Sequence, residues 1–402
     1  MTRYLIIGNG IAANTAAERI RTIDPSGIIH MFTKESVPFY YTPALPEVLS
    51  GEKDLQSITI HDEVWYERNN IVLHRATPIL KIDPALQEVT AQDGATYVYD
   101  RLLLATGGNS FVPPIQGADR DGVFTLRTFA DAKAIKERAT RAKTLVLIGG
   151  GLLGLEAGNG LRKAGLSVIV VEFFPRLLPR QMDPAGASIL QRQMEGMGFS
   201  FYLNARTKEI AERNGCLEVR LEDGIAIPAD MVLISAGVRP DLSLPKSVGI
   251  DCDKAVKVDD AMKTNIQNIF AAGDLVEHRG IYYGIWPAAM EQGAVAGTVM
   301  AGQEAQYTGT VISNTLKVVG IQLTAAGDID PDGTRESIVR SDPVRGIYRK
   351  LVISNNTITG AILFGDVRGS DAILQAMKNK TDISRVKSFL NDETFDFSEL
   401  RS

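Results

Sequence analysis

Cysteine is scarce in this chain. Only Cys216 and Cys252 occur among the 402 residues, and they form no CxxC or CxxxxC pattern. A structural zinc site needs clustered thiolate or imidazole ligands, and a redox-active dithiol needs two neighbouring cysteines. We therefore expect no metal site and no redox disulfide, and we interpret both cysteines as ordinary thiols.

Long hydrophobic runs and an excess of positive charge are also missing. No apolar stretch reaches the roughly 18 residues that a membrane-spanning helix needs. The net charge is −5 and no basic cluster stands out, which argues against a nucleic-acid partner. A strand-like segment begins by Tyr4, which leaves no room for a signal peptide. These features predict a soluble, cytoplasmic protein without a membrane span.

Glycine, by contrast, is concentrated in strand-to-helix turns. In "YLIIGNGIAAN" a GxGxxA pattern is formed by Gly8, Gly10, Ala12 and Ala13. The first glycine permits a tight turn, the second lets the backbone approach a pyrophosphate, and the small third residue lets the helix pack on the strand. A second strand is predicted over 27–32. Glu35, or alternatively Thr33, should then bind the ribose hydroxyls of the dinucleotide.

A second turn of this kind lies in "LVLIGGGLLGLEAG". Its GxGxxG pattern comprises Gly149, Gly151, Leu152, Leu153 and Gly154. The next strand ends at Glu172, 21 residues after Gly151, where a carboxylate can accept both ribose hydroxyls of an adenosine. That carboxylate would repel a 2′-phosphate, so NADH is favoured over NADPH. Two dinucleotide turns suggest a resident flavin and an exchanging nicotinamide.

Three further segments favour a flavin. In "YDRLLLATGG" a buried strand runs into Ala105, Thr106 and Gly107. In "NIFAAGDLVE" a strand ends at Gly273 and Asp274, whose carboxylate can accept a ribityl hydroxyl. In "WPAAMEQGAVAG" a helix should begin at Trp286 and Pro287, and its N-terminus can stabilise negative charge on a reduced flavin.

Together these motifs resemble the FAD-dependent pyridine nucleotide–disulfide oxidoreductase superfamily, with "AGVRPD" around Gly237 as a further match. Within the superfamily, the motifs most resemble the branch of rubredoxin reductases and of the NADH-oxidising part of nitrite reductase large subunits. The resemblance implies an α/β fold with two Rossmann-like dinucleotide-binding domains and a C-terminal α+β domain. The implied divisions are 1–108 with 236–305 for FAD, 109–235 for NAD, and 306–402 as an interface domain that can support a homodimer. It also places Glu156 near the nicotinamide amide, whereas Leu152 either borders the nicotinamide path or packs the helix.

Two departures from this pattern bear on the chemistry. The segment "VPFYYTPALPEVLSGE" contains no cysteine where disulfide and persulfide reductases of the superfamily carry theirs, and no histidine follows His278. In the closer branch this segment resembles "PYxRPxLSK", but Thr42 and Glu47 stand at the arginine and lysine positions. Electrons are therefore expected to leave the flavin directly.

The predicted function is an NADH-dependent FAD oxidoreductase that passes electrons to a small acidic redox protein, such as rubredoxin or ferredoxin, or to a partner reductase subunit. The alternatives are an NADH oxidase or quinone reductase, and a redox-sensing interaction module. An acidic partner would use a basic patch. Two arrangements are compatible with the sequence for the basic residues: they cluster into such a patch, or they are scattered surface charges. These residues are Arg176, Arg180, Arg345, Arg349 and Lys350. The acidic C-terminal segment "NDETFDFSELRS" is expected to be loosely held.

Overall fold

The computed structural model describes residues 1–213 and 215–401, and the side chains at 314–318 and 401 lie outside that description. The first part of the chain alternates strands with helices, which are β1 (Arg3–Ile7), α1 (Ile11–Ile23), β2 (Ile28–Phe32), β3 (Phe39–Tyr40), α2 (Leu45–Ser50), α3 (Leu55–Ile58), β4 (Thr59–His61), α4 (Glu63–Arg68), β5 (Ile71–His74), β6 (Ile79–Asp83), β7 (Glu88–Ala91), β8 (Thr96–Val98), β9 (Arg101–Leu104) and β10 (Gly108–Ser110).

The middle of the chain repeats this alternation. Its elements are β11 (Val123–Thr125), α5 (Phe129–Ala139), β12 (Thr144–Ile148), α6 (Leu152–Lys163), β13 (Ser167–Val171), α7 (Pro184–Gly196), β14 (Ser200–Tyr202), β15 (Thr207–Arg213), β16 (Cys216–Leu221), β17 (Ala226–Ala229), β18 (Met231–Ile234) and β19 (Val238–Pro240).

The remaining elements follow in two groups. The first comprises α8 (Ser243–Ser247), β20 (Val256–Val258), β21 (Ile269–Ala271), β22 (Val276–His278), β23 (Ile281–Tyr282) and α9 (Trp286–Met300). The second comprises β24 (Ser313–Val318), β25 (Ile321–Gly327), β26 (Glu336–Asp342), β27 (Ile347–Ser354), β28 (Thr357–Phe364) and α10 (Ser370–Asn379).

A parallel sheet of order β21-β9-β1-β2-β5 carries the first glycine turn. Its strands β1 and β9 read as nearly continuous apolar runs, and their side chains are buried on both faces, as a central parallel strand requires. The edge strand β21 comes from much later in the chain than its neighbour β9. The middle section of the chain is therefore an insertion between two neighbouring strands of this sheet.

A second parallel sheet, of order β11-β18-β12-β13-β14, carries the second glycine turn. The predicted strand before this turn is confirmed as β12, and the predicted strand before Glu172 is confirmed as β13. The two chain crossings between the parallel sheets run side by side, since β10 pairs antiparallel with β19. Two parallel sheets flanked by helices confirm the predicted α/β class.

The C-terminal part is an antiparallel sheet of order β24-β25-β28-β27-β26 with α10 packed against it. The alternating segment "GIYRKLVISNNTITGAILFG" predicts a hairpin around Asn355 and Asn356. The structure confirms it, and both residues adopt the left-handed backbone that a tight hairpin turn requires. The amphipathic helix predicted from "DAILQAMKNK" is confirmed as α10. The expectation of a loosely held C-terminus was wrong. Phe397 and Leu400 are buried in the core of this unit, because their apolar side chains complete its packing against α10.

In the part of the chain that the structure describes, we find no helix long and apolar enough to cross a bilayer.

Candidate dinucleotide sites

The first glycine turn is wedged against the end of β9. Gly8 has a φ of +129°, and a Cβ there would lie 2.1 Å from the carbonyl oxygen of Ala105, so only glycine fits. Gly10 caps α1 without a side-chain hydrogen bond, and among the described residues no heavy atom lies within 4 Å of where its Cβ would be. Open space therefore adjoins the start of α1, where the free N–H groups of a first helical turn can bind an anion.

Helix α1 packs unusually closely on α9. A Cβ on Gly293 would lie 2.3 Å from the carbonyl oxygen of Ala12, and a Cβ on Gly273 would lie 3.0 Å from the Cβ of Ala12. Ala13 is fully buried in the same contact. The structure thus brings together three motifs that are far apart in sequence: the first turn, the loop at Gly273, and the glycine-rich helix.

Asp274 forms an ion pair that the sequence did not reveal. Its carboxylate lies 3.1 Å from the guanidinium of Arg127, whose Nε donates to the carbonyl oxygen of Gly108 at 2.9 Å. Arg127 also lies near Gly107, where a Cβ would be 3.6 Å from its Nη2. The segment 105–107 and the loop at Asp274 are therefore held together by one arginine from the beginning of the inserted section.

The N-terminus of α9 lies in an aromatic cluster. Helix α9 begins at Trp286 with Pro287 in its first turn, as predicted. The Trp286 ring stacks on Phe39 at a centroid distance of 6.0 Å and meets Tyr41 edge-on at 5.0 Å. Thr42 follows in a short 3-10 helix over Thr42–Ala44. Thr42 and the α9 terminus therefore border the same region of the molecule.

Glu35 is held by a tyrosine. The Tyr40 hydroxyl donates to Glu35 Oε2 at 2.8 Å, and the backbone N–H of Phe129 donates to the Tyr40 oxygen at 2.9 Å. Burial raises the pKa of Glu35, although the Tyr40 hydrogen bond acts in the opposite direction. Thr33 is buried, and its hydroxyl accepts the backbone N–H of Glu35 at 3.2 Å. Thr33 thus shapes the turn that presents Glu35.

The second glycine turn repeats the geometry of the first. Gly149 has a φ of +112°, and a Cβ there would lie 2.3 Å from the carbonyl oxygen of Ser235. A Cβ on Gly154 would lie 2.8 Å from the carbonyl oxygen of Gly149, so α6 packs directly on the strand end. Gly151 caps α6 without a side-chain hydrogen bond in the described part of the chain.

Glu172 directly follows β13 and is only 5% exposed. Its Oε2 accepts the backbone N–H of Gly150, and its Oε1 accepts that of Phe174 at 2.8 Å. A carboxylate can accept about four hydrogen bonds, so both oxygens keep capacity for a ribose. The side chain therefore supports the glycine loop and lies where the sequence spacing placed it.

Glu156 is a contact point between units rather than a solvated helix residue. Its carboxylate accepts the backbone N–H of Val319, in the turn between β24 and β25. Burial raises the pKa of Glu156, while the Val319 hydrogen bond and Lys163 lower it. Nearby, Leu152 is partly buried against a core cluster and Leu153 is 47% exposed. Packing of α6 thus accounts for Leu152.

Helix α6 also packs against α2, the helix beside Thr42, which is predicted to bind the cofactor of the first glycine turn. A Cβ on Gly160 would lie 2.5 Å from the carbonyl oxygen of Pro46 in α2, the helix that follows Thr42. Gly237 lies at the return crossing with a φ of +107°, and its carbonyl oxygen accepts the backbone N–H of Phe111. These contacts pack α6 against the segment after Thr42 and hold the return crossing beside the outgoing one.

A family model described as pyridine nucleotide-disulphide oxidoreductase matches residues 2–293. The chain belongs to this family. A second model, the rubredoxin NAD+ reductase C-terminal domain, matches residues 313–381. The predicted superfamily is thereby confirmed, and with it the class of FAD-dependent NAD(P)H oxidoreductases that use FAD and NADH.

Relatives of known sequence and structure support the same placement. The chain is 37% identical to a nitrite reductase [NAD(P)H] of Bacillus subtilis over 95% of its own length, and spans about half (48%) of that protein. It is 34% identical to the rubredoxin-NAD(+) reductase of Pseudomonas putida, covering 70% of this chain and 73% of that one. The crystal structure of NADH:rubredoxin oxidoreductase from Clostridium acetobutylicum superposes with a TM-score of 0.81 at 28% identity, covering 97% of this chain and 99% of that one.

The residues of this chain fit a bound FAD at the first turn. An uncapped helix N-terminus faces open space, and the Asp274 side chain is partly exposed beside it. Sequence reasoning missed three residues of this region: Arg127, Tyr40 and Gln292, whose side-chain oxygen accepts the backbone N–H of Gly273 at 2.9 Å. Tyr40 occupies the tyrosine position of the "PYxRPxLSK" pattern and Gln292 belongs to the "EQG" that follows the α9 start, whereas Arg127 sits in no recognisable motif.

Neither cysteine belongs to these segments. Cys216 is exposed on β16, and Cys252 is partly buried and donates to the carbonyl oxygen of Ile250. Two of the five basic residues that could form a docking patch cannot contribute to one. Arg349 and Lys350 are buried in the C-terminal unit. Within the described residues, no group of three or more His, Cys, Asp or Glu side chains is arranged to hold a metal ion.

Proposed function

We propose that this protein is an NADH-dependent FAD oxidoreductase that delivers electrons to a small redox protein of the rubredoxin or ferredoxin kind, or to a partner reductase subunit. FAD, when bound, accepts a hydride from NADH and can release the two electrons singly. The observation that carries the proposal is the presence of two uncapped glycine turns, one on each parallel sheet, in a fold where α6 packs directly on α2. The relatives' names point to the same acceptors.

We propose the following division of residues between the two cofactors. FAD is held by Gly8, Gly10, Ala12, Ala13, Glu35, Thr42, Ala105, Thr106, Gly107, Gly237, Gly273, Asp274, Trp286 and Pro287. NADH is held by Gly149, Gly151, Leu152, Leu153, Gly154 and Glu172, with Glu156 beside the nicotinamide. The supporting features are the open helix termini, the partly exposed Asp274 carboxylate, and the spare acceptor capacity of Glu172.

The positions of the two cysteines support electron transfer directly from the flavin, without a redox-active disulfide. The segment 37–52 has no cysteine, and Cys216 and Cys252 lie outside all motif segments. Electrons must then pass from the flavin to an acceptor that docks on the protein. Direct reaction with O₂ or a quinone is the competing outcome that the experiment below separates.

We propose three domains: an FAD domain of 1–108 with 236–305, an NAD domain of 109–235, and a C-terminal domain of 306–402. The C-terminal domain is proposed to form the interface of a homodimer. Exposed apolar side chains on this unit, Val339, Val344 and Phe389, support that role for 306–402. Sedimentation of the purified protein, compared with a Phe389→Ser variant, tests it. A monomer in both samples would contradict the homodimer.

Rapid mixing of the purified protein with NADH tests the function. We expect flavin absorbance to bleach within the dead time or the first seconds, and the reduced protein to be reoxidised much faster by oxidised rubredoxin or ferredoxin than by O₂ or a quinone. An Asp274→Asn variant should retain less flavin, and Asp223→Asn, an exposed turn residue, should behave as the parent protein.

Two results would contradict the proposal. Absence of bleaching by NADH in flavin-loaded protein would exclude NADH-dependent reduction. Reoxidation by O₂ as fast as by any carrier protein would instead assign the chain to the NADH oxidases.

A further inference from the structure

A buried polar cluster joins the C-terminal sheet to helix α7. The Tyr348 hydroxyl donates to Asp183 Oδ2 at 2.6 Å, and Lys350 Nζ lies 3.3 Å from the same oxygen. Lys350 also donates to the carbonyl oxygen of Asp330 at 2.6 Å. All four residues are at most 6% exposed. Buried charges are costly unless they are paired and hydrogen-bonded, so the cluster specifies one arrangement of β27 against α7.

The contact between β27 and α7 is closely packed as well as polar. A Cβ on Gly186, in the first turn of α7, would lie 2.9 Å from the ring of Tyr348. Asp183 itself caps α7, because its Oδ1 accepts the backbone N–H of Gly186 at 2.9 Å. The carboxylate of Asp183 therefore serves the helix with one oxygen and the C-terminal unit with the other.

The turn preceding Asp183 reaches the second glycine loop. The backbone N–H groups of Gln181 and Met182 both donate to the carbonyl oxygen of Leu178 at 2.9 Å. The N–H of Leu178 then donates to the carbonyl oxygen of Gly150 at 3.0 Å. Leu178 is fully buried and adopts a left-handed backbone with a φ of +48°, which a leucine keeps only when its surroundings enforce it.

Gly150 is held from the opposite side by Glu172, which accepts its N–H. A continuous path thus leads from Tyr348 and Lys350 through Asp183 and the turn at 178–182 to the peptide groups of Gly150. That loop is the proposed contact surface for the NADH pyrophosphate. The two peptide groups that flank Gly150 are both held, the N–H by Glu172 and the carbonyl oxygen by the turn at 178–182.

We propose that Tyr348 and Lys350 are positioning residues for the pyridine nucleotide site: by holding Asp183 they keep the turn at 178–182 against Gly150. This inference rests on the proposed use of residues 149–154 for NADH. A loosened loop costs nucleotide affinity, whereas the transfer step in the filled site depends on groups that the change does not touch.

Tyr348→Phe is the decisive variant, because it removes one hydroxyl and keeps the ring on Gly186. We expect the KM for NADH and the Kd for NAD+ to rise about tenfold, as for loss of a hydrogen bond to a charged group, with kcat at saturating NADH within about twofold of the parent. Calorimetric titration of the oxidised protein with NAD+ measures affinity without turnover. Amide hydrogen exchange should accelerate in peptides covering 149–154 and 176–183.

Arg349→Met provides the matched control. Arg349 is buried on the same strand, but it faces Asp366 at 3.6 Å and the ring of Phe397 at 4.7 Å. This variant should change the melting temperature of the protein while NAD+ affinity and exchange at 149–154 stay at the parent values. A second variant, Asp183→Asn, keeps a good helix cap. Combined with Tyr348→Phe, it should weaken NAD+ binding no more than the stronger single change does.

Equal NAD+ affinity in the parent and Tyr348→Phe proteins, with unchanged exchange at 149–154, would overturn the positioning role alone. The same loss of affinity in Arg349→Met would also overturn it, since the effect would then be general loosening of the C-terminal unit. Failure of the flavin-loaded parent protein to bind NAD+ would overturn the proposed function and this inference with it.

Discussion

Glu172 contributes more to the second glycine turn than ribose recognition requires. Its two carboxylate oxygens accept backbone N–H groups from both sides of the loop, at Gly150 and Phe174. Sequence spacing identified the residue but not this second task, because the fold of 172–174 back onto the loop depends on tertiary contacts.

Replacing Glu172 by Gln should therefore weaken NADH binding more than NADPH binding. The amide offers one acceptor instead of two, and the negative charge that repels a 2′-phosphate is gone. We expect the KM for NADH to rise about tenfold to a hundredfold, and the NADPH to NADH preference to increase. Steady-state kinetics with both nucleotides measure it. Glu209→Gln, which alters an ion pair with Arg220 on another sheet, should change neither value, and an unaltered preference in Glu172→Gln would refute the assignment.

The buried carboxyl group of Glu156 should make the stability of the protein depend on pH. Burial raises its pKa in the folded protein above the unfolded value. Folding therefore favours the protonated acid, and the stability it provides is present below the unfolded pKa and is lost as pH rises through the folded pKa. Gln at this position still accepts the N–H of Val319 without a charge to bury.

We expect Glu156→Gln to gain free energy of unfolding relative to the parent protein at pH 8, and to gain less or nothing at pH 4. Urea denaturation at the two pH values measures the difference. Glu304→Gln, at an exposed carboxylate, should show no such pH dependence. An equal effect at both pH values would show that the carboxylate is not the origin.

At the scale of elements, the contact of α1 with α9 decides how the first site is built. Gly293 and Gly297 let the helices approach until a Cβ would lie 2.3 Å from the Ala12 carbonyl and 2.5 Å from that of Ala16. The small residues of "GAVAG" predict a helix that can pack tightly on a large planar ligand, whereas in the structure Gly293 and Gly297 pack on α1. Helix α1 lies some 280 residues earlier in the chain, and such pairings follow from sheet order rather than from local pattern.

Gly293→Ala should destabilise the protein by about 1–3 kcal/mol, because the added methyl forces the helices apart in a packed core. It should also lower the flavin retained after purification. Thermal unfolding and flavin absorbance measure both. Gly196→Ala, at the end of α7 where no described heavy atom lies within 4 Å of the new Cβ, should be neutral or stabilising by up to about 1 kcal/mol. Equal stability of the two variants would contradict the close approach.

At the scale of the whole molecule, the ion pair of Arg3 with Asp100 predicts a contribution to acid stability. Arg3 makes a two-point contact with Asp100, and its backbone N–H adds a third hydrogen bond. Arg3 lowers the pKa of Asp100 from 3.8 to about 2. The resulting stability is present above the unfolded pKa and is lost as pH falls from about 4 towards 2.

Asp100→Asn should reduce the free energy of unfolding at pH 6 by ~0.5–1 kcal/mol, a value discounted because both side chains are partly exposed. The difference from the parent should shrink at pH 3. Denaturant titrations at the two pH values measure it. Asp121→Asn, at a carboxylate 94% exposed beside Arg138, should differ little from the parent at either pH. A deficit of Asp100→Asn that persists unchanged at pH 3 would contradict the ion-pair explanation.

The sequence by itself determined both glycine turns, the strands before them, the α9 start and the C-terminal hairpin and helix. These features depend on glycine geometry, proline position and apolar periodicity, which act over a few neighbouring residues. Only the tertiary structure decided which polar groups meet: Arg127 with Asp274, Tyr40 with Glu35, the backbone N–H of Val319 with Glu156, and Tyr348 with Asp183. Each of these pairs except Tyr40 with Glu35 joins residues more than a hundred positions apart, and no local pattern paired those two. Buried polar groups must find a partner somewhere, but local pattern does not say where.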